Sequence, residues 1–300
     1  MKNKKILITG GAGFIGSNLA LALQKKYPEN EYFIIDNFLS GNSANLVGFN
    51  GKIFSDDISK INLNDYFDKI DVIFHQAANT DTTVSDQDKM TRNNLEGFKN
   101  VLGFALKNKA KLIYASSAAI YGHSKPPMIV GKNETPANVY GFSKLSADNI
   151  ARGHFKDLPI IGLRYFNVYG PGEKYKEKMA SMIWQLYLQM KEGKAPKIFK
   201  YGEQKRDQVY IKDIVNANLL AIDCKKSGIF NIGAGKATTF NEIVINLNEA
   251  LSTNLKPEYI DNPYEHYQDN TEADLTEAKE ALRYFPEYDI IKGIKNYFKK

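Results

Sequence analysis

A glycine-rich turn between two apolar runs at the start of this chain constrains the fold more than any other feature of the sequence. Lys5-Ile6-Leu7-Ile8 reads as a short buried strand, and Thr9-Gly10-Gly11-Ala12-Gly13-Phe14-Ile15-Gly16 follows it directly. A helix is expected to open near Ser17-Asn18-Leu19. About 20 residues beyond the turn, a second apolar run, Tyr32-Phe33-Ile34-Ile35, ends in Asp36. Together these outline a dinucleotide site. Glycine lets the backbone turn tightly and approach a pyrophosphate. A helix N-terminus offers unpaired N–H groups and a partial positive charge. A carboxylate at the tip of the second strand can accept from a ribose hydroxyl. The glycine spacing is GxxGxxG rather than GxGxxG, so the reading rests on the whole strand–turn–helix–strand–Asp arrangement.

Further along, short apolar runs alternate with amphipathic stretches. The runs are Lys5–Thr9, Tyr32–Asp36, Ile53–Phe54, Val72–His75, Leu112–Ser116 and Ile160–Arg164. Such alternation predicts an α/β fold: a doubly wound parallel (Rossmann) sheet flanked by helices. Residues 1–168 are expected to form a dinucleotide-binding domain. Residues 169–300 are expected to form a smaller mixed α/β substrate-binding domain, with segments near 208–233 rejoining the first. A helix is expected at Met179–Glu192 and a basic loop at Lys194–Arg206.

Three hundred residues, 43% hydrophobic and 25% charged, suffice for a sizeable core. No run approaches the roughly 20 apolar residues of a membrane span. Met1 to Lys5 run straight into the first strand, so no signal peptide is expected. A lone cysteine, Cys224, excludes an intrachain disulfide and fits a reducing cytoplasm. The net charge of +6 is spread mostly over lysines, and no nucleic-acid-binding motif accompanies it. The four histidines, His75, His123, His154 and His266, lack metal-ligand spacing, so no metal site is expected.

Tyr140-Gly141-Phe142-Ser143-Lys144 carries the chemistry. On a helix, Tyr140 and Lys144 share one face. A free phenol, with a pKa of about 10, is a poor base at neutral pH. A neighbouring ammonium and an oxidised nicotinamide favour the phenolate, which can then take a proton from a sugar hydroxyl. Upstream, Ser116 and Ser117 end a predicted strand, where a hydroxyl can orient the reacting oxygen.

With the glycine turn, this serine–tyrosine–lysine set resembles the extended short-chain dehydrogenase/reductase family. The resemblance implies an NAD(P)-dependent epimerase acting on a nucleotide-activated sugar, with the cofactor tightly bound and recycled. It makes Tyr140 the acid/base, Lys144 its electrostatic partner and ribose ligand, and Ser117 the orienter, since Ser117 stands four before Tyr121. Ser116 is the reserve. The family's dehydratases carry an Asp-Glu pair where this chain has Ala118-Ala119, so epimerisation is expected rather than elimination.

His75-Gln76-Ala77-Ala78, Asp81-Thr82-Thr83, Asn93-Asn94, Arg164 to Pro171 and Met179-Ala180-Ser181 extend the resemblance. So do Lys205-Arg206-Asp207, Phe230 to Gly233 and Tyr267 to Thr276. They point to the branch that inverts C6 of an ADP-activated heptose. That branch implies a second acid/base, Lys176, with Lys174 and Lys178 as neighbours that compete for the role. The resemblance further implies cofactor contacts at Gly10, Gly13, Phe14, Ile15, Gly16, Asp36, Asn37, Asp57, Ile58, Ala77 and Asn93. It implies substrate contacts at Ser117, Asn167, Lys176, Arg206 and Tyr267, and a homo-oligomer. A substrate-helix histidine of that branch is replaced by Gln185.

On the cofactor, resemblance and residues diverge. The branch implies NADP, whereas Asp36 and the cation-free stretch Asn37 to Ser43 suit the free 2′-hydroxyl of NAD. Both stay open at this point. A UDP-hexose 4-epimerase or another nucleotide-sugar oxidoreductase is the main alternative, and a non-catalytic NAD(P)-sensing protein is a distant one.

Overall fold

The computed structural model describes residues 1–80, 87–263 and 269–298. In chain order the elements are β1 (Lys5–Thr9), α1 (Phe14–Lys26), β2 (Glu31–Ile35), β3 (Lys52–Phe54), β4 (Val72–His75), α2 (Gln87–Asn108) and β5 (Lys111–Ser117). Next come α3 (Val139–Gly153), β6 (Ile160–Tyr165), β7 (Asn167–Tyr169), α4 (Met182–Lys191), β8 (Lys197–Phe199), β9 (Lys205–Tyr210) and α5 (Ile211–Asp223). The chain then runs through β10 (Gly228–Ile232), β11 (Ala237–Thr239), α6 (Phe240–Leu251), β12 (Glu258–Ile260), α7 (Thr276–Leu282) and α8 (Ile290–Phe298).

Seven strands form one sheet in the order β10-β6-β5-β4-β1-β2-β3, with every neighbouring pair parallel. The expected doubly wound sheet is therefore present. The order reverses beside β1, which pairs with both β2 and β4. A crevice opens at such a switch point, beyond the carboxyl ends of the strands. The central strands are buried because helices cover both faces: Ile6, Leu7, Ile8, Ile73, Phe74, Leu112 and Ile113 are solvent-inaccessible. Their inward and outward side chains divide between two apolar clusters, one on each face of the sheet.

Two expectations on local structure need correction. Helix α1 opens at Phe14, three residues earlier than expected, with Gly13 as its N-cap. Gly10 at φ +67° turns the chain sharply enough that no further loop is needed. The stretch 194–206 is not simply a loop: it holds β8, which pairs with β12, and the start of β9. Its lysines had hidden that strand pattern, because they lie on an exposed side while Ile198 is buried. The helix expected at 179–192 spans Met182–Lys191, and the Ser181 hydroxyl caps it by accepting from the Trp184 amide at 3.2 Å.

β10, far along the chain, adds to the sheet edge beside β6. β9 instead joins β7 and β11 in a small three-stranded sheet. β7 carries Asn167 and β9 carries Arg206. No helix among the described residues is long and apolar enough to cross a membrane.

Candidate active site

The crevice at the strand ends encloses about 700 Å³, a volume in the range of small-molecule and cofactor sites. The glycine turn forms one wall. A Cβ at Gly10 would sit 2.6 Å from the Ala77 amide nitrogen, so the turn packs against the end of β4 only because the side chain is missing. A Cβ at Gly16 would collide with the Gly10 carbonyl. No side chain caps α1, and its first residues, Phe14, Ile15 and Gly16, line the crevice. An uncapped helix start exposed in this way can receive an anion.

Asp36 closes the next wall. Its carboxylate accepts from the Ala12 amide at 2.9 Å and from the Phe38 amide at 2.8 Å. Burial pushes its pKa up, while these amides draw it back. Asp57 follows at the end of β3. Burial raises this carboxyl, but the amide and hydroxyl of Ser59 and the Lys60 ammonium outweigh that and hold it below the usual carboxylate range. Asn37, Ile58, Ala77 and Asn93 line the same space. Asn94 behind them donates to the Ser143 hydroxyl at 3.1 Å, joining α2 to α3.

The chemical wall is built by β5 and α3. Asn138 caps α3 by accepting from the Gly141 amide at 2.8 Å, which fixes the helix where Tyr140 and Lys144 begin. Both side chains line the crevice, and the Lys144 ammonium lies 5.9 Å from the Tyr140 ring centre. Lys144 donates to the Ala115 carbonyl at 2.8 Å. Ser117 lines the crevice beside Tyr140, and its hydroxyl accepts from the Ala119 amide at 3.1 Å. Ser116, the reserve, borders the same crevice, but its buried hydroxyl has no hydrogen-bond partner among the described residues.

The protein's own groups do not by themselves lower the Tyr140 phenol. Burial pushes the Tyr140 phenol above its ordinary value, and the Ser117 hydroxyl draws it part of the way back. The ammonium does not override that burial, because Lys144 is itself buried and pulled down to about 8, with Asp148 pulling it back up. His75 beneath them is held neutral: burial, then the Lys144 charge, brings it down to about 3. Its Nδ1 shares a 2.7 Å hydrogen bond with Thr9 Oγ1.

Lys176 comes from another element, the 3₁₀ segment Glu173–Met179, which kinks at Glu177. It is half-buried, lines the crevice and stands 5.9 Å above the Phe14 ring. Burial lowers its pKa, and Glu173 opposes that. Lys174 and Lys178 are exposed; Lys174 stacks over Tyr175. Lys178 also borders the crevice.

Asn167 and Arg206 lie beyond this lining. Asn167 Nδ2 donates to the Asp207 carbonyl at 3.2 Å and to Thr271 Oγ1 at 3.3 Å. Arg206 is buried and donates to the Lys205 carbonyl at 2.9 Å. Tyr267 and the Asp81-Thr82-Thr83 segment lie outside the described residues. Tyr165 was quoted in the sequence without a role. It borders the crevice, and its hydroxyl meets Gln76 Oε1 at 3.2 Å and Asn218 Nδ2 at 2.8 Å. Its position at the end of β6 was the available signal.

The residues present fit a dinucleotide: a Cβ-free turn, an uncapped helix start and a carboxylate at the next strand end, all on one cavity. Comparison with known proteins agrees. Residues 6–233 match the NAD dependent epimerase/dehydratase family. An ADP-L-glycero-D-manno-heptose-6-epimerase of Brachyspira hyodysenteriae is 39% identical over 97% of this chain and 96% of its own. The crystal structure of the Helicobacter pylori ADP-L-glycero-D-manno-heptose-6-epimerase shares 45% identity at a TM-score of 0.93, covering 99% of this chain and 95% of that one. A Bacillus cereus UDP-glucuronic acid 4-epimerase, solved with UDP-glucuronic acid and NAD, is 28% identical at a TM-score of 0.87, covering 98% of both chains. The resemblance read from the serine–tyrosine–lysine set thus holds over nearly the whole molecule, and the chain belongs to the NAD dependent epimerase/dehydratase family.

Proposed function

We propose that this chain inverts C6 of an ADP-activated heptose by transient oxidation and re-reduction. The observation that carries the reading is the pair of proton-transferring candidates that line one cleft from two separate elements. Tyr140 stands on α3 and Lys176 on the turn after Pro171, and both line the same cavity. Inversion requires the sugar carbon to present both faces in turn, so its hydroxyl meets the protein in two orientations. One group for each orientation satisfies that demand. The relatives from Brachyspira and Helicobacter, named for the heptose reaction, support the same substrate.

When bound, a nicotinamide would accept hydride from the sugar carbon and return it. Gly10, Gly13 and the start of α1 would hold its pyrophosphate, and Asp36 and Asp57 would meet its ribose. Tyr140 takes the hydroxyl proton in one orientation. It gives up its own proton only where positive charge stands beside it, which Lys144 and an oxidised nicotinamide supply. Ser117, on the same wall as Tyr140, orients the reacting oxygen and draws the phenol's pKa down against its burial. Lys176 serves the other orientation. Arg206 and Asn167, on the small sheet, hold the substrate's diphosphate and sugar. Residues 1–168 with β10 thereby act as the dinucleotide-binding part, and the remainder covers the substrate.

The proposed cofactor is NAD. Both Asp36 oxygens are engaged with backbone amides at the cavity wall, and residues 37–45 contain no cation to meet a 2′-phosphate. Incubation with ADP-heptose and with UDP-hexoses, read by NMR at the inverted carbon, tests the substrate. Turnover of a UDP-hexose at C4 instead would replace the reading. Mass spectrometry of the dinucleotide released on denaturation tests the cofactor. Tyr140→Phe should leave the fold intact and lower kcat by about 10²- to 10⁴-fold; full activity would end the proposed chemistry.

A further inference from the structure

Glu173 is a fully buried carboxylate that none of the expected site roles uses. One oxygen accepts from the Gly170 amide at 2.9 Å, and the other accepts from the Ser181 amide at 2.7 Å. Those two amides bracket the segment that carries Lys176. A single side chain therefore closes residues 170–181 into a loop fastened at both ends. The closure is reinforced at three further points. Gln185 Nε2, on α4, donates to the Ala180 carbonyl at 2.8 Å and to the Lys178 carbonyl at 3.2 Å. Asn18 Nδ2, on α1, donates to the Pro171 carbonyl at 2.9 Å. Burial, and then the neighbouring Glu173 carboxylate, push up the phenol of Tyr297 on α8.

The loop needs such fastening. Glu177 adopts φ +50°, an unfavourable conformation for a residue with a side chain. Gly172 at φ +98° turns the chain at the other end. Between these two turns only Lys176 is both half-buried and set over Phe14, while Lys174 and Lys178 are exposed.

We infer that Glu173 is the positioning residue for Lys176: it clamps both ends of the 170–181 loop and so holds that lysine, alone of the three, half-buried over Phe14 at the cleft. This rests on the reading of Lys176 as the second acid/base. Glu173 also bears on the lysine's charge. Burial of Lys176 disfavours the ammonium, and the nearby carboxylate favours it. Gln185 acts here as part of the fastening.

The test is Glu173→Gln, which keeps the side-chain shape but turns an N–H donor toward one of the two amides. Two readouts apply: steady-state kinetics with ADP-heptose, and amine acylation of each lysine followed by mass spectrometry. The expected result is a kcat lower by about 10²-fold, the cost of a small misplacement of a reacting group, with KM and bound cofactor unchanged. Lys176 acylation should approach the rates of Lys174 and Lys178. The same substitution in a Lys176→Met background should add no further loss. Unchanged Lys176 acylation would overturn the inference whatever the kinetics. Full activity of Lys176→Met with accelerated acylation in Glu173→Gln would leave the clamp standing and remove only the role of the lysine. If Glu173→Gln does not fold, Gln185→Ala is read in the same way, and unchanged Lys176 acylation there overturns the clamp.

Discussion

Lys144 donates to the main-chain carbonyl of Ala115 at 2.8 Å, which ties the helix carrying Tyr140 to the strand carrying Ser117. Both partners are positioned by backbone, so the phenol and the hydroxyl keep their registry whatever the sugar does. Burial draws this lysine down to about 8, whereas an unfolded lysine titrates near 10.4. Between those values the unfolded chain binds more protons, so this group makes stability rise as pH rises from about 8 to about 10.4. Below pH 8 both states are protonated and the burial penalty is felt in full. Lys144→Met should flatten that rise in denaturant midpoints taken across the window, and should lower kcat by about 10²- to 10⁴-fold. An unchanged slope would mean the ammonium is better solvated than its burial implies.

Asp36 has two tasks. It holds the Ala12 and Phe38 amides and lines the cavity, where it is proposed to meet the cofactor's ribose. Asp36→Ala should weaken NAD by about tenfold or more, the worth of a hydrogen bond to a charged group. NADP should be affected less, because a repelling carboxylate goes with it. Isothermal titration of the cofactor-stripped protein with each dinucleotide measures the difference. Equal losses would contradict a ribose contact.

Arg164 lies at the centre of a buried ionic network below the site. Its Nε donates to Asp148 at 2.9 Å, and its Nη1 donates to Glu134 at 2.6 Å and to the Tyr121 hydroxyl at 2.9 Å. Asp148 also accepts from the Tyr114 hydroxyl at 2.8 Å. Arg164→Met would strand Asp148 without its cation, at a cost of about 3–5 kcal/mol. Urea denaturation measures it. Asp148→Asn combined with Arg164→Met should cost less than the arginine change alone, since no bare charge is then buried.

Asp207 fastens the substrate side. Its carboxylate accepts from the amides of Ala234 at 2.6 Å, Gly235 at 3.0 Å and Ala273 at 3.0 Å. Burial nevertheless pushes it up to about 7, against about 3.9 when unfolded. Between these values the folded state binds more protons, so this group lowers stability as pH rises from about 4 to about 7. Asp207→Asn should remove that slope. It should also cost about 1–3 kcal/mol, because an amide N–H replaces one acceptor. Thermal unfolding at pH 5 and pH 7 separates the two effects.

Much of the cofactor side was legible because its signals are local. Gly10, Gly13 and Gly16, the run ending in Asp36, and the tyrosine and lysine four residues apart are each readable within one or two elements. Periodicity and turn chemistry act over that range. The start of α1 was misjudged because no side chain marks it; a glycine N-cap leaves no polar signature. The strand β8 was missed because lysines on its exposed side masked the alternation around Ile198.

The order of residues alone thus determined that a parallel sheet forms, where its glycine turn lies and which tyrosine faces which lysine. Tertiary structure decided what packing and burial control. It set Tyr140 above its free pKa rather than below it, since burial outweighs a lysine that is buried as well. It separated Lys176 from two neighbours of identical chemistry through contacts with Glu173 and Phe14. It brought Asp207 against Ala273, 66 residues away. Such choices depend on desolvation and on partners distant in the chain, and neither is carried by local spacing.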